Sequence, residues 1–567
     1  MKNLSRRNAV KVLAGTAAAA ILPKASAQPA GAPPATAPAA AGTPKTRPLP
    51  PAPTPIVPPV GFGVADGPFK PTMDSLSQYT VPDWYRDAKF GIWAHWGPQC
   101  QPEMGDWYAK NMYIPTHADY KFHVQKYGHP SVFGFKDVIN EWKAEKWDPV
   151  ALIDLYKKAG AKFFAAMANH HDNTDMFDST YQPWNTLKIG PKKDIVGGWE
   201  KAARAAGLKF AVSCHGDRSW SWLQESQGSD PTGPLAGVQY DGRITKAEGK
   251  GKWWDGLDPQ DLYGQYHEVG RYGWDQRGNP PIDKAYTEKF FNRVIDLINK
   301  HNPDILYFDD TVMPVYPTTD IGPRIAAYLY NTNLKRNNGK LEAVMTGKGL
   351  NPEQRKALML DVERGQATVA QAQLPWQTDT CIGNWHYQRS LFTQHKYKTA
   401  LQVVQMLIDI VSKNGNLMLD IPLRGDGTID DDELKCVQGI GSWMTSNGEA
   451  IYGTRPFATY GEGPSTVTSA AGRFGGTTDV RAYKPEDIRY TTKGDVVYAI
   501  VLGWPADGKA VLRTLAAGSK DFPKEVGKAE LLGSGQVTFA RDAAGLSVNL
   551  PANKPNDFAY VLKIQPK

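Results

Sequence analysis

The chain has 567 residues, enough for two or three domains, and its 41% hydrophobic content supports a large core. A formal charge of +7 with no long basic run excludes the electrostatic footprint of a nucleic-acid binder. The four cysteines, Cys100, Cys214, Cys381 and Cys436, show no CxxC spacing, which excludes a disulfide framework and a cysteine zinc site while leaving a single disulfide open.

At the N-terminus, Ser5-Arg6-Arg7 precedes Lys11 and an Ala-rich apolar stretch over 12–22, and Ala25-Ser26-Ala27 forms an A-x-A cleavage site. This is the pattern of a twin-arginine signal peptide over 1–27. It predicts export and a periplasmic or secreted mature chain. The apolar run is too short for a membrane anchor and is followed by Pro23. No other stretch is apolar for long enough to span a bilayer, so no membrane partner is expected once the signal is removed. Residues 28–65 are rich in Pro, Ala and Gly with little charge, and read as a semi-extended linker.

Residues 66–455 repeat one theme, a strand-like run followed by an amphipathic helix. Strands are expected over 89–97, 161–171, 208–215, 305–309, 341–346 and 416–422, with helices over 149–159, 195–206, 287–302, 399–413 and 433–447. Asp148-Pro149 supplies an N-cap and a first-turn proline, and Leu152, Leu155, Tyr156 and Ala159 recur at helical spacing before Gly160. Alternation of β and α predicts a parallel sheet with helices outside. A doubly wound sheet would carry a Gly-rich phosphate loop after the first strand, but Trp93-Ala-His-Trp-Gly97 crowds that place. A (β/α)8-like barrel is therefore the expected fold. Residues 456–567 change character to short strands separated by Gly, Pro, Asn and Asp, as in an all-β sandwich.

A barrel places its chemistry at the carboxyl ends of its strands. Those ends carry His95, then His170-His171-Asp172, His215-Gly-Asp217, and Asp309-Asp310 at the exit of Ile305-Leu-Tyr-Phe308. The paired histidines lack zinc-ligand spacing, and successive residues on a regular strand face opposite ways. Neutral imidazoles at a pocket rim suit sugar hydroxyls, each offering one donor and one acceptor. No metal is expected. The acidic loop from Gly425 to Asp432 fails calcium-loop spacing and reads as a turn that caps the last helix. Two aromatic, acidic segments, Glu103 to Tyr108 and Trp376 to Tyr387, belong to the same rim. Glycoside cleavage needs two carboxylates across the scissile bond, one of them a proton donor. The strand-end Asp309 suits the nucleophile or base.

Four stretches together are similar to the α-L-fucosidases of glycoside hydrolase family 29. They are Ala88-Lys-Phe-Gly-Ile-Trp-Ala-His95-Trp-Gly with Asp106-Trp-Tyr; Ala159-Gly-Ala-Lys162 through His170-His171-Asp172 to Trp184-Asn185; Ile305-Leu-Tyr-Phe-Asp309; and Asn414-Gly-Asn416-Leu with Gly425-Asp-Gly-Thr428-Ile and Asn447-Gly-Glu-Ala-Ile-Tyr452-Gly. The resemblance implies a (β/α)8-like barrel followed by a β-sandwich, and retaining hydrolysis of terminal α-L-fucosides without a cofactor. The implied substrate is a fucosylated oligosaccharide or glycoconjugate. By resemblance Asp309 is the nucleophile. His95, Trp107, His170, His171 and Arg364 bind the sugar, with His215 where relatives often have Tyr and Trp376 on the same segment.

Two departures stand out. Trp376-Gln377 occupies a place where many relatives have Trp-Glu with the acid/base, and Gln cannot donate a proton as a carboxylic acid does. The replacement is expected to be Asp379, with Asp106 next and Glu103 and Glu363 as further candidates. Asp310 stands where many relatives have Gly, and is expected to pair locally or to perturb Asp309. Gln377 leaves open an inactive fucose-binding relative, and two further readings stand beside it: a metal-dependent hydrolase built on the histidines, and a glycosidase for a related sugar such as a galactoside.

Overall fold

The computed structural model describes residues 47–51, 63, 65–267, 283–364, 373–467 and 482–567. The expected signal peptide lies outside the described residues, as does most of the expected linker. Eight parallel strands close a barrel in chain order: β1 (Phe90–Ala94), β2 (Phe163–Asn169), β3 (Lys209–Cys214), β4 (Ile305–Phe308), β5 (Val344–Lys348), β6 (Met359–Asp361), β7 (Trp376–Cys381) and β8 (Gly415–Asp420), with β8 returning to β1. Helices α1 (Pro149–Lys158), α2 (Ile195–Ala205), α3 (Lys284–His301), α4 (Ile321–Arg336), α5 (Ala400–Ser412) and α6 (Asp431–Asn447) cover the strands. Asp148 caps α1 by accepting the N–H groups of Val150 and Ala151, both at 3.0 Å. Asp430 caps α6 in a reciprocal box with Glu433, as the acidic loop suggested.

Side chains alternate across each strand. In β1, Phe90, Ile92 and Ala94 join the core beneath the helices, whereas Trp93 joins the core inside the barrel. The interior core takes Phe163 and Ala165 from β2, Ala211 from β3, Ile305 and Tyr307 from β4, Val344 from β5, Met359 from β6 and Met418 from β8. Strands β6 and β7 were not among the expected ones. β6 has three residues, and the fully buried β7 turns Gln377 and Asp379 inward, so neither shows the apolar run that marks a buried strand. Between β5 and β7 the only helical turn among the described residues is the 3-10 turn Gln354–Lys356, ahead of β6, so this barrel departs from eight equal βα units.

The C-terminal domain is antiparallel throughout. One sheet has the order β14–β13–β17–β11–β10–β9, with β9 Arg455–Glu462, β10 Ile488–Lys493, β11 Val496–Val501, β13 Val526–Leu531, β14 Gly535–Gln536 and β17 Tyr560–Pro566. The second, β12 (Lys509–Leu512), β16 (Gly545–Asn549) and β15 (Phe539–Asp542), packs on it. Alternation along β11 divides the two cores: Val497, Ala499 and Val501 face the sandwich, while Tyr498 and Ile500 face the barrel helices. Asp409 on α5 pairs with Arg489 on β10 at 2.6 Å and with Lys413 at 2.7 Å, all three buried. All four cysteines are buried and unpaired. Among the described residues no helix is long and apolar enough to cross a membrane.

Candidate active site

A cavity of about 540 Å³ opens at the carboxyl ends of the barrel strands. Seven strands or the segments behind them line it: Trp93, His95, Asp106 and Trp107 from β1; His170 and His171 from β2; His215 and Arg218 from β3; Tyr307, Asp309 and Asp310 from β4; Lys348 from β5; Glu363 and Arg364 from β6; Asp379 and Trp385 from β7. The inward register explains much of this set. Residues 305, 307 and 309 alternate inward along β4, and the same period carries Val344 to Lys348 and Met359 to Glu363.

Lys348 is the electrostatic centre. Its Nζ lies 2.5 Å from Asp309 Oδ1, 3.1 Å from Glu363 Oε2 and 3.7 Å from Asp379 Oδ2. Burial would raise the Asp309 carboxyl, but the Lys348 ammonium and the Arg218 guanidinium outweigh it and hold Asp309 well below the usual carboxylate range. Arg218 also fixes the backbone here: Nη2 donates to the Asp309 carbonyl at 2.8 Å and Nε to Asp310 Oδ1 at 3.3 Å. Asp310 therefore pairs locally. Burial, followed by the neighbouring Asp310, raises Asp217 well above the usual range. Burial also raises Asp379, with Lys348 opposing, and Asp379 Oδ2 accepts the Tyr307 hydroxyl at 2.5 Å.

The histidines form a second cluster opposite the cation. β2 ends at Asn169, so His170 and His171 sit in the turn beyond it and both line the cavity. Their hydrogen bonds set opposite tautomers. Gln99 Nε2 donates to His170 Nδ1 at 2.8 Å, which puts the His170 proton on Nε2. His171 Nδ1 donates to the His215 carbonyl at 2.8 Å, which leaves Nε2 the acceptor. Burial holds His95, His170 and His171 well below the ordinary histidine range, and the surrounding imidazoles push in the same direction. His386 packs edge-on against His95 and His170, with ring centroids 4.7 and 4.8 Å apart. Asp106 Oδ1 orients it, accepting its backbone N–H at 2.8 Å and its Nδ1–H at 3.1 Å. In each of two sets, His95/His170/His386 and His170/His171/His215, the three potential ligand nitrogens lie within 4.8 Å of one another. The arrangement thus offers one carboxylate held ionised, several further carboxylates around the same cation, and both donors and acceptors for hydroxyl groups.

Residues 61–449 match the family described as "Alpha-L-fucosidase", and residues 483–565 match "Alpha-L-fucosidase C-terminal domain". The chain belongs to the alpha-L-fucosidase family. It is a glycoside hydrolase. Human plasma alpha-L-fucosidase is 26% identical over 506 residues, covering 85% of this chain and 88% of the relative. Rat tissue alpha-L-fucosidase is 23% identical over 516 residues, covering 88% and 94%. Thermotoga maritima alpha-fucosidase, solved with a mechanism-based inhibitor, is 25% identical with a TM-score of 0.65, covering 88% of this chain and 99% of that one. The same protein solved with fucose gives a TM-score of 0.63.

Within this fucosidase fold most of the expected residues converge. His95, Asp106, Trp107, His170, His171, His215, Asp309, Arg364 and Asp379 all line the one cavity. Trp376 is a correction. It opens β7 at the end away from the cavity and faces outward, where its indole joins the core beneath the helices and donates to the Lys413 carbonyl at 2.9 Å. Gln377 turns inward but sits deep in the barrel, bonded to Asp361 at 2.8 Å and to the Tyr85 hydroxyl. It is therefore not a lost acid/base at the mouth, and the inactive reading loses its ground. Glu103 lines a different hollow, where it pairs with Arg389. Sequence reasoning missed Lys348, Arg218 and Tyr307, and reached Trp385 only as part of the segment Trp376 to Tyr387. The period-two register ending at Lys348 was the available signal for the lysine.

Proposed function

We propose that this enzyme removes a terminal α-L-fucosyl group with retention, Asp309 acting as nucleophile and Glu363 as acid/base. The observation that carries the assignment is the shared cation. The 2.5 Å contact of Lys348 with Asp309 and its 3.1 Å contact with Glu363 cap the separation of the two carboxylate oxygens at about 5.6 Å. Retaining pairs lie about 5–5.5 Å apart, whereas inverting pairs stand about 6.5–9.5 Å apart. Glu363 is also 45% exposed, at the mouth where an aglycone leaves and water enters. Asp379 lies deeper, is fully buried and is committed to Tyr307. Asp106 is committed to His386.

The steps follow from this geometry. Asp309 attacks the anomeric carbon while Glu363 gives its proton to the departing glycosidic oxygen, leaving a fucosyl ester on Asp309. Glu363, now a carboxylate, takes a proton from water, which attacks the same carbon and frees Asp309. The packed barrel interior, with Trp93, Tyr307 and Asp379 beneath the site, makes the pocket blind, so a chain end enters rather than a chain middle. His170 donates to one sugar hydroxyl and His171 accepts from another. The Trp93 and Trp385 rings, 5.6 Å apart, give the 6-deoxy methyl group an apolar wall that a galactoside hydroxymethyl would not fit as well. That the Thermotoga protein has been solved with fucose supports this reading.

Azide rescue tests it. Glu363→Ala should yield α-fucosyl azide, because azide replaces water at the ester, and Asp309→Ala should yield the β-azide. Rescue of Asp379→Ala, with Glu363→Ala fully active, would transfer the acid/base role to Asp379. We further infer export by the twin-arginine route, so that the enzyme works in the periplasm or outside the cell. Replacing Arg6 and Arg7 by Lys should leave the enzyme in the cytoplasm, and unchanged export would contradict this.

A further inference from the structure

The geometry points to a second ligand for this pocket: a divalent transition metal ion, zinc in particular, bound by His171, His215 and Asp309 and excluding the sugar. The inference rests on the pocket being the sugar site, but its metal chemistry stands on separate observations. Asp309 gives one oxygen to Lys348 and turns the other, Oδ2, between two imidazoles, 3.9 Å from His171 Nε2 and 3.8 Å from His215 Nδ1. A His170 nitrogen lies within 4.8 Å of the other two imidazoles, but Gln99 occupies its Nδ1 and its Nε2 carries the proton, so the set is His171, His215 and Asp309. Tetrahedral zinc holds nitrogen and carboxylate oxygen at about 2.0–2.2 Å, which places neighbouring ligand atoms about 3.3–3.5 Å apart. The two Asp309 distances exceed that spacing by about half an ångström, and the two imidazoles offer nitrogens within 4.8 Å of one another.

The surroundings are those of a metal-ligating histidine. A backbone carbonyl, that of His215, holds His171 Nδ1–H at 2.8 Å and so fixes the ring with Nε2 towards Asp309. His215 is buried, and within 3.5 Å neither of its ring nitrogens finds a hydrogen-bond partner among the described residues, with Asp309 Oδ2 at 3.8 Å from Nδ1. Buried polar atoms without partners are the exception in a folded protein and call for a ligand. Imidazoles with one carboxylate suit zinc or copper, whereas magnesium and calcium select oxygen. Bound here, the metal takes the Asp309 oxygen that faces the histidines and fills the space in front of the nucleophile. It therefore competes with substrate and takes no part in hydrolysis.

The test uses the mature full-length chain with any affinity tag removed. Zinc binding is measured by calorimetry, and cobalt serves as a coloured probe of tetrahedral coordination. One equivalent should bind, saturating L-fucose should weaken binding, and His171→Ala and His215→Phe should each weaken it by about tenfold or more. Circular dichroism identifies a variant that fails to fold, and the fucose competition on the unaltered chain needs no variant. Absence of saturable binding would overturn the inference. So would binding that neither fucose nor the two folded variants affect. Activity on an aryl fucoside is recorded separately, so an active enzyme that binds no zinc refutes the metal site alone.

Discussion

Replacing Lys348 by methionine keeps an unbranched side chain, one atom shorter, and removes the charge that three carboxylates share. In the intact site the ammonium stands 2.5 Å from Asp309. Even screened as in bulk water, unit charges about 2.5 Å apart interact by about 1.7 kcal/mol, equivalent to about 1.2 pH units. The real pair is screened less, since the Lys348 side chain is only 15% exposed and that of Asp309 24%, so this value is a floor. The sign follows from the structure: the cation holds Asp309 below its ordinary range, and removing it raises Asp309. The acidic limb of kcat/KM reports the free enzyme's nucleophile, so in Lys348→Met it should move upward by at least about 1 pH unit. Lys348→Arg keeps the charge and should keep the limb near its original place. The assay is kcat/KM for an aryl α-L-fucoside across the acid range for all three proteins, with unfolding followed at each pH. A methionine variant whose acidic limb coincides with the parent's refutes the reasoning.

The remaining expectations concern the acid/base, the corrected tryptophan and the histidines. Glu363→Ala should lose about 10²–10⁴-fold in kcat/KM on fucosides with poor leaving groups and far less on activated aryl fucosides. Asp379→Asn should keep the parent's leaving-group dependence, and the reverse pattern would exchange the two roles. Trp376→Phe removes the buried indole hydrogen bond to the Lys413 carbonyl, at a cost of about 0.5–1.5 kcal/mol. That cost should appear as a lower denaturation midpoint with KM unchanged, and a raised KM would return Trp376 to the pocket. His95, His170 and His171 are neutral in the fold, whereas unfolded histidine titrates near about 6.5. Their folded values lie below the unfolded one, so the unfolded chain binds more protons on the acid side. Stability should be complete above about pH 6.5 and fall below it, by up to about 1.4 kcal/mol per pH unit for each imidazole. Urea midpoints across that range measure this, and stability that rises with acidity contradicts it.

The barrel was legible where interior and exterior residues are both apolar. β1 to β4 and β8 show continuous apolar runs, and Gly160 and Gly207 mark helix ends with φ of +102° and +77°. β6 and β7 were hidden because their inward positions are Asp361, Gln377 and Asp379, whose burial depends on Lys348 and Tyr307 from other strands and on Tyr85 from the short helix Asp83–Ala88. The error over Trp376 and Gln377 has the same root. Reading the segment as a rim loop put both at the mouth, whereas strand alternation sends one outward and the other deep. Asp309 was legible because it ends an apolar strand. Lys348 was not, because its meaning comes from the lateral neighbourhood of β4, β5 and β6. The opposite tautomers of His170 and His171 are likewise set by Gln99 and the His215 carbonyl, neither of which sequence alone places beside them.

The central claim is that Asp309 carries the sugar between the two steps, and a slow-turnover fluorinated fucosyl substrate can trap that state. Intact mass should rise by one fluorofucosyl group, and peptide mapping should place the ester on Asp309, with no label in Asp309→Ala. A label on Asp379, Asp106 or Glu363, or turnover by inversion with no trapped ester, would contradict the account.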